Sequence, residues 1–267
     1  MTDTTLPSST APSADDFRRL PLPPAMLDNL QRLGYERMTP IQAASLPLSL
    51  AGQDLIAQAK TGSGKTAAFA LPLLLNLNPR RFAVQALVLC PTRELAEQVT
   101  QEIRRLARAE DNIKILTLCG GATMRPQMTS LAHGAHIVVG TPGRILDHLG
   151  RETLDLSALN TLVLDEADRM LDMGFAEDIN QVLKHCPTQR QTLLFSATYP
   201  EGVGKLAGRF MRSPQTVKLA EAHAPQQIRQ LFFEVTEEQR LHAVGQLLNH
   251  YRPVSTLAFC NTKQQCR

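Results

Sequence analysis

The stretch from Asp54 to Phe69 constrains this chain more than any other. An apolar run, Asp54-Leu-Ile-Ala-Gln58, leads into Ala59-Lys60-Thr61-Gly62-Ser63-Gly64-Lys65-Thr66 and on to Ala-Ala-Phe69. That succession reads as a buried strand, a glycine-rich turn and the start of a helix, which is how a chain cradles phosphate groups. Gly62 and Gly64 let successive N–H groups point inward, and a helix beginning near Lys65 adds the positive end of its dipole. A polyphosphate is the expected ligand, with Lys65 on its outer phosphates and the Thr66 hydroxyl holding a magnesium ion. The general pattern has glycine in its first position, where this chain has Ala59. A ligand-free strand-to-helix turn is the bland alternative, and Gly-x-Gly-Lys-Thr following an apolar strand weighs against it. The turn does not identify the base.

With 267 residues, 43% hydrophobic and 20% charged, the chain can bury a substantial core and holds enough residues for more than one domain. A formal net charge of +3 is too small to argue for nucleic acid by itself. Cys90, Cys119, Cys186, Cys260 and Cys266 lack the close pairing of a zinc site and read as reduced, mostly buried thiols. No secretory segment is visible, and the longest apolar run, Ala67 to Leu77, is interrupted by Pro72 and too short to span a bilayer. A cytoplasmic monomer with no membrane partner is expected.

Residues 1–16 are rich in Ser, Thr and Pro and read as a disordered tail. Met26, Leu27, Leu30 and Leu33 recur at helical spacing before Gly34 stops the helix. A second helix should start at Thr39-Pro40, a cap followed by a proline suited to the first turn, leaving Gln42 in that turn with its amide free. Beyond the phosphate loop, strand-like runs at Val84 to Cys90, Ile113 to Leu118, His136 to Gly140, Thr161 to Leu164 and Gln191 to Phe195 alternate with helical stretches. This is the pattern of an α/β fold, a mostly parallel sheet covered by helices on both faces, with ligands at the carboxyl ends of the strands. The polar segments Pro91 to Ala96, Gly120-Gly121, Thr141 to Arg144, Asp165 to Asp168 and Ser196 to Thr198 should therefore share one sheet edge.

Asp165 ends an apolar strand, so its carboxylate should project where the phosphate loop does and supply the acid that a nucleotide-bound magnesium needs. Glu166 follows and can orient or polarise an attacking water, which makes hydrolysis a candidate activity beside binding. An acidic helix start is the ordinary reading of such a pair. An apolar strand running straight into two carboxylates favours the cation.

Taken together, Asp165-Glu-Ala-Asp168, Ala59 to Thr66, Pro91 to Ala96, Thr141 to Arg144 and Ser196 to Thr198 resemble, in order and spacing, the DEAD-box RNA helicases. Ala59 is then the family's own form. Gly34-Tyr35 through Thr39-Pro40-Ile41-Gln42 resembles that family's adenine-reading Q motif, with Phe17 seventeen residues before Gly34. Leu118-Cys-Gly-Gly121, Asp168 to Phe175 and Cys260-Asn-Thr-Lys263 look most like the bacterial DbpA-type ribosome-assembly members. The resemblance implies a RecA-like domain with ATP and Mg2+ as cofactors. Phe17, Arg37, Gln42 and residues 59–66 would bind the nucleotide, Thr66 and Asp165 the metal, and Lys65, Asp165 and Glu166 would be catalytic. Pro91, Thr92, Arg93, Gly120, Gly121, Thr141, Pro142, Gly143 and Arg144 would contact RNA, mainly along its sugar-phosphate backbone, with ribosomal RNA the implied target. Asp168, Ser196, Ala197 and Thr198 would couple hydrolysis to strand separation. Each RNA-side residue has an ordinary structural reading; together at one sheet edge they favour RNA.

Gln215 to Leu219 should close the first sheet, making 17–219 one RecA-like domain, with 220–227 a linker. A strand at Ile228 to Val235, a helix at Glu237 to Tyr251 and a strand at Ser255 to Phe259 would begin a second such domain over 228–267. The expected activity is RNA-dependent ATP hydrolysis coupled to local duplex unwinding. An isolated ATP-binding lobe that binds a nucleotide or a protein partner and unwinds nothing is the other expectation, because the resemblance places the arginine finger and the rest of the RNA clamp in residues this chain does not contain.

Overall fold

Alternation within short strands builds both faces of the sheet at once. The computed structural model describes residues 13–110, 112–219, 229, 231–260 and 262, and the chain divides into two units, Met1–Ala220 and Glu221–Arg267. In the first, the order is α1 (Pro24–Arg32), α2 (Pro40–Leu50), β1 (Leu55–Gln58), α3 (Lys65–Leu75), β2 (Ala86–Leu89), α4 (Arg93–Leu106), β3 (Ile115–Leu118), α5 (Met124–Ala132), β4 (Ile137–Gly140), α6 (Pro142–Gly150), β5 (Thr161–Leu164), α7 (Ala167–Asp172), α8 (Ala176–Lys184), β6 (Gln191–Ser196), α9 (Glu201–Phe210) and β7 (Gln215–Lys218). Seven strands form one sheet in the order β3-β4-β2-β5-β6-β1-β7. Every neighbouring pair is parallel.

Leu55, Ala57, Ala86, Val88, Ile137, Val139, Leu193 and Phe195 pack on one face with α1, α2, α3 and α4. Their alternates Ile56, Leu87, Leu89, Val138, Leu162, Leu164 and Leu194 pack on the other with residues of α5 to α9. Burial on both faces explains why these strands read as continuous apolar runs. Strands close on themselves at the amino end through side chains: Asp54 Oδ1 accepts from Thr192 N–H at 2.8 Å and Oδ2 from Arg212 N–H at 2.7 Å.

The strand runs expected at Val84, Ile113 and His136 begin one or two residues later, and the last strand ends at Lys218. Residues 13–16 of the expected tail are ordered instead. Residues 1–12 lie outside the described residues, but Asp16 caps a 3-10 turn at Phe17–Arg19, and Asp15 O accepts from Met38 N–H at 2.7 Å. The expected linker also lies outside them. In the second unit α10 (Arg240–Tyr251) forms, starting three residues later than expected. The strands expected at 228–235 and 255–259 do not: no described residue there pairs with a neighbouring strand, and an extended segment without a ladder partner is not a strand. Among the described residues no helix is long and apolar enough to cross a membrane.

Asp54→Ala is expected to lower the unfolding free energy by about 2–4 kcal/mol, because two inward N–H groups lose a charged acceptor. Urea denaturation of the purified chain measures it; a change within error would show that these bonds do not tie β1 to β6 and β7.

Candidate nucleotide and nucleic-acid site

All strands run one way, so the loops after β1, β2, β3, β4, β5 and β6 meet on one edge. The turn after β1 has Gly62 at φ 81° and Gly64 at φ 92°, which side chains other than glycine rarely adopt. A Cβ on Gly64 would lie 2.6 Å from Gln42 Nε2 and 2.9 Å from Thr39 Oγ1, so glycine is needed here for closeness as well as for conformation. Ala59 has no such φ and is buried, with its N–H donating to Ser196 O at 3.0 Å, which is why a methyl is tolerated where the general pattern has glycine. Ser63 Oγ donates to Lys60 O at 2.7 Å, and α3 starts at Lys65 as its sequence suggested.

Gln42 lies in the first turn of α2, but its amide is not free. Its Oε1 accepts from Thr39 N–H at 2.9 Å and its Nε2 donates to Gly64 O at 3.0 Å, and the residue is 1% exposed. The amide thus clasps the phosphate loop, with one N–H and one lone pair remaining for a base. Phe17 is buried and set edge-on to Tyr35, with ring centroids 6.2 Å apart. Arg37, largely exposed, pairs with Asp15 at 3.6 Å.

The Lys65 ammonium and Asp165 Oδ1 are both buried without a hydrogen-bond partner. Burial pushes the Asp165 carboxyl up to about 6, with the Lys65 charge pulling it down and Glu166 pushing it further up. A buried cation and a buried carboxylate left unsatisfied at one strand edge have the donor and acceptor character to take an anionic phosphate and a hard metal ion. Thr66, half-buried, makes no side-chain hydrogen bond among the described residues and can add an oxygen. Glu166 sits at φ 53° at the start of α7, a strained position for a residue with a side chain. Its carboxylate accepts from Thr61 Oγ1 at 3.0 Å and pairs with Arg169 at 2.9 Å, which ties the end of β5 to the phosphate loop across β6.

Asp168 joins the same edge to β6. Its Oδ2 accepts from Thr198 N–H at 2.8 Å and Thr198 Oγ1 at 2.7 Å, and its own N–H donates to Ser196 Oγ at 3.2 Å. These bonds hold its carboxyl below the usual carboxylate range against the opposing effect of burial. Ala197 takes part through its backbone, its O accepting from Gln58 Nε2 at 3.4 Å.

The residues expected on RNA line the other half of the edge. Thr92 caps α4 by accepting from Leu95 N–H at 3.2 Å, after a buried Pro91. Arg93 is exposed, paired with Glu97 at 2.8 Å, and lies against Gly121, where a Cβ would be 3.7 Å from its guanidinium. Gly120 and Gly121 are exposed, Thr141 and Gly143 half-buried, and Pro142 opens α6. Arg144 is not a free charge: it donates to Ala122 O at 3.0 Å and Gln127 Oε1 at 3.1 Å. Gln127 also accepts from His148 Nε2 at 3.0 Å and donates to Cys119 O at 3.1 Å, so one amide joins the glycine loop to α6. No motif pointed to Gln127; His148 stands one helical turn after Arg144, the single hint the sequence carried.

Residues 39–206 match the family model described as DEAD/DEAH box helicase. The chain is similar to the ATP-dependent RNA helicase DbpA of Escherichia coli (strain K12), 54% identical over 246 residues that cover 92% of this chain and 54% of that one. To the DEAD-box ATP-dependent RNA helicase CshA of Geobacillus kaustophilus (strain HTA426) it is 44% identical over 250 residues, 93% of this chain and 53% of that one. The crystal structure of a DEAD box protein from the hyperthermophile Methanococcus jannaschii superposes with a TM-score of 0.74 at 41% identity, covering 94% of this chain and 68% of that one. The chain spans about half the length of the curated relatives it matches.

The raised Asp165 carboxyl fixes the sign of a pH effect. A carboxyl raised on folding contributes stability in full below its unfolded value near 3.8, and that contribution is lost as pH rises through about 6. Asp165→Asn removes the loss, so its Tm advantage over the unmodified, ligand-free chain should grow between those pH values and then level off. Thermal unfolding at stepped pH measures it; an unchanged Tm difference across that range would contradict a net cost of burying this carboxylate.

Proposed function

The chain belongs to the DEAD/DEAH box helicase family, and we propose that it binds ATP with Mg2+ and serves RNA-dependent ATP hydrolysis that remodels RNA duplexes, with ribosomal RNA the first substrate to test. One observation carries the reading: the Lys65 ammonium and Asp165 Oδ1, both buried without a hydrogen-bond partner, beside a glycine-rich loop. Lys65 and the loop N–H groups would grip the phosphates, and Gln42, already fixed on Gly64, would offer its remaining donor and acceptor to adenine. Mg2+, held by Thr66 and Asp165, would neutralise charge on the phosphate oxygens. Glu166, held by Thr61 and Arg169, would orient the water that adds to the γ-phosphorus as the bridging oxygen leaves with ADP.

Asp168 touches both Ser196 and Thr198, so a shift at the acids would be felt on β6. Thr92, Arg93 and the loop at Gly120-Gly121 suit a sugar-phosphate backbone, with N–H groups, a short hydroxyl and a guanidinium fork in place of base-reading groups. RNA binding is then largely independent of sequence and weakens steeply with salt.

Fast turnover in this family, by the resemblance, draws on an arginine from a second lobe, so rates are compared in a protein carried to the relatives' full length. There Glu166→Gln should keep ATP affinity while cutting phosphate release by roughly tenfold or more, and Lys65→Ala should weaken ATP binding itself. Phosphate release by Glu166→Gln at the unmodified rate would overturn the assignment of Glu166.

A further inference from the structure

The loop Asn78 to Ala83 precedes β2 and therefore lies at the amino-terminal edge of the sheet, opposite the edge that carries the phosphate loop. A buried glutamine shapes it. Gln85 Nε2 donates to Asn78 O at 2.9 Å and Arg81 O at 2.8 Å, and its Oε1 accepts from Asn78 N–H at 2.8 Å. Arg80 N–H donates to Asn78 Oδ1 at 3.0 Å, Arg81 N–H to Asn78 O at 3.0 Å, and Ala83 N–H to Arg81 O at 2.8 Å. His136, fully buried, takes Lys114 N–H on Nδ1 at 3.0 Å, leaving Nε2 to donate to Pro79 O at 3.1 Å.

What this rigid loop displays is chemically specific. Phe82 is 60% exposed, and its ring is backed by the His136 ring with centroids 4.8 Å apart. Gly134 lies beneath, where a Cβ would be 3.3 Å from that of Phe82. One side of the phenyl is thus supported while much of the ring is open. Arg80 and Arg81, next to it in sequence, are exposed, and their guanidiniums enter no ion pair or hydrogen bond among the described residues. At the strand-end face, by contrast, Arg93 and Arg144 are both engaged.

We propose that Arg80, Arg81 and Phe82 form a second contact for single-stranded RNA, a base stacking on Phe82 while the two guanidiniums take adjacent phosphates. The proposal rests on the RNA reading of the strand-end face and extends it to the far edge. Aromatic stacking tolerates any base, and arginine forks match phosphate oxygens. The loop is held by its own hydrogen bonds before binding, so little ordering is needed. Leu77, Pro79 and Ala83 beside it are half-buried, which leaves too little apolar surface for docking a folded protein. Phe82 precedes β2 and Thr92 follows it, so the length of the strand lies between the two faces and an RNA must extend past the sheet to touch both.

The test uses the 267-residue chain, an oligonucleotide just long enough for the strand-end face, and a single strand several times longer. Arg80→Ala combined with Arg81→Ala should weaken the long RNA several-fold and lower its salt slope by about 1.4, at ~0.7 per phosphate on single strands, while the short one binds unchanged. Phe82→Trp introduces the sole tryptophan, and its emission should be quenched by the long RNA alone. Binding of both RNAs with no effect of the variants and no quenching would overturn the far-edge contact and leave the strand-end reading intact. Loss confined to the long RNA with no binding of the short one would support this contact and overturn the other. No binding of either overturns both, and equal quenching by polyglutamate would assign the loop to an acidic protein instead.

Discussion

The sheet is parallel throughout, and every functional group described depends on that. Parallel strands deliver all their carboxyl ends to one edge, so segments far apart in sequence meet without any loop having to reach. Strand order then divides the edge. β1 and β6 carry the phosphate loop and the Ser196 to Thr198 segment, while β2, β4 and β3 carry the residues that suit RNA. β5 lies between the two groups, and from its end Glu166 bonds toward the phosphate loop and Asp168 toward β6. A disturbance in one half has a short covalent and hydrogen-bonded route to the other.

The site is energetically unfinished, and the core is what holds it so. Lys65 Nζ and Asp165 Oδ1 are buried without hydrogen-bond partners, and Glu166 stands in a left-handed backbone conformation. Such features persist only where the surroundings over-determine them. Here the surroundings are Phe69 at the heart of α3, packed edge-on against Phe195 of β6 with centroids 5.4 Å apart, and Asp54 fastening the opposite ends of the same strands. The fold presents an arrangement that a cation and a polyphosphate together would neutralise.

Much of this was legible because it follows from local rules. An apolar strand followed by a polar or glycine-rich segment repeats six times in the sequence, and each repeat proved to be a strand end on the shared edge. What escaped depends on contacts between distant segments. The Gln42 amide was expected free, yet half of it is engaged by Thr39 and by Gly64, the latter twenty-two residues away, an attachment no periodicity encodes. Gln127 escaped because a glutamine on a short helix carries no signal until α6 packs beside it. Arg80-Arg81-Phe82 matches no motif, and its shape comes from Gln85 and His136. Among the described residues after 227 the expected strands do not form, for the complementary reason: alternation alone makes no strand without a partner.

The central claim is that the edge of this sheet is an adenine-nucleotide site, and calorimetric titration of the 267-residue chain with ADP and with GDP, both in magnesium, tests it most directly. One ADP per chain, bound at least about tenfold more tightly than GDP because buried polar groups at Gln42 are left unmatched by guanine, is the predicted result. Equal affinities, or no ADP binding at all, would contradict the account.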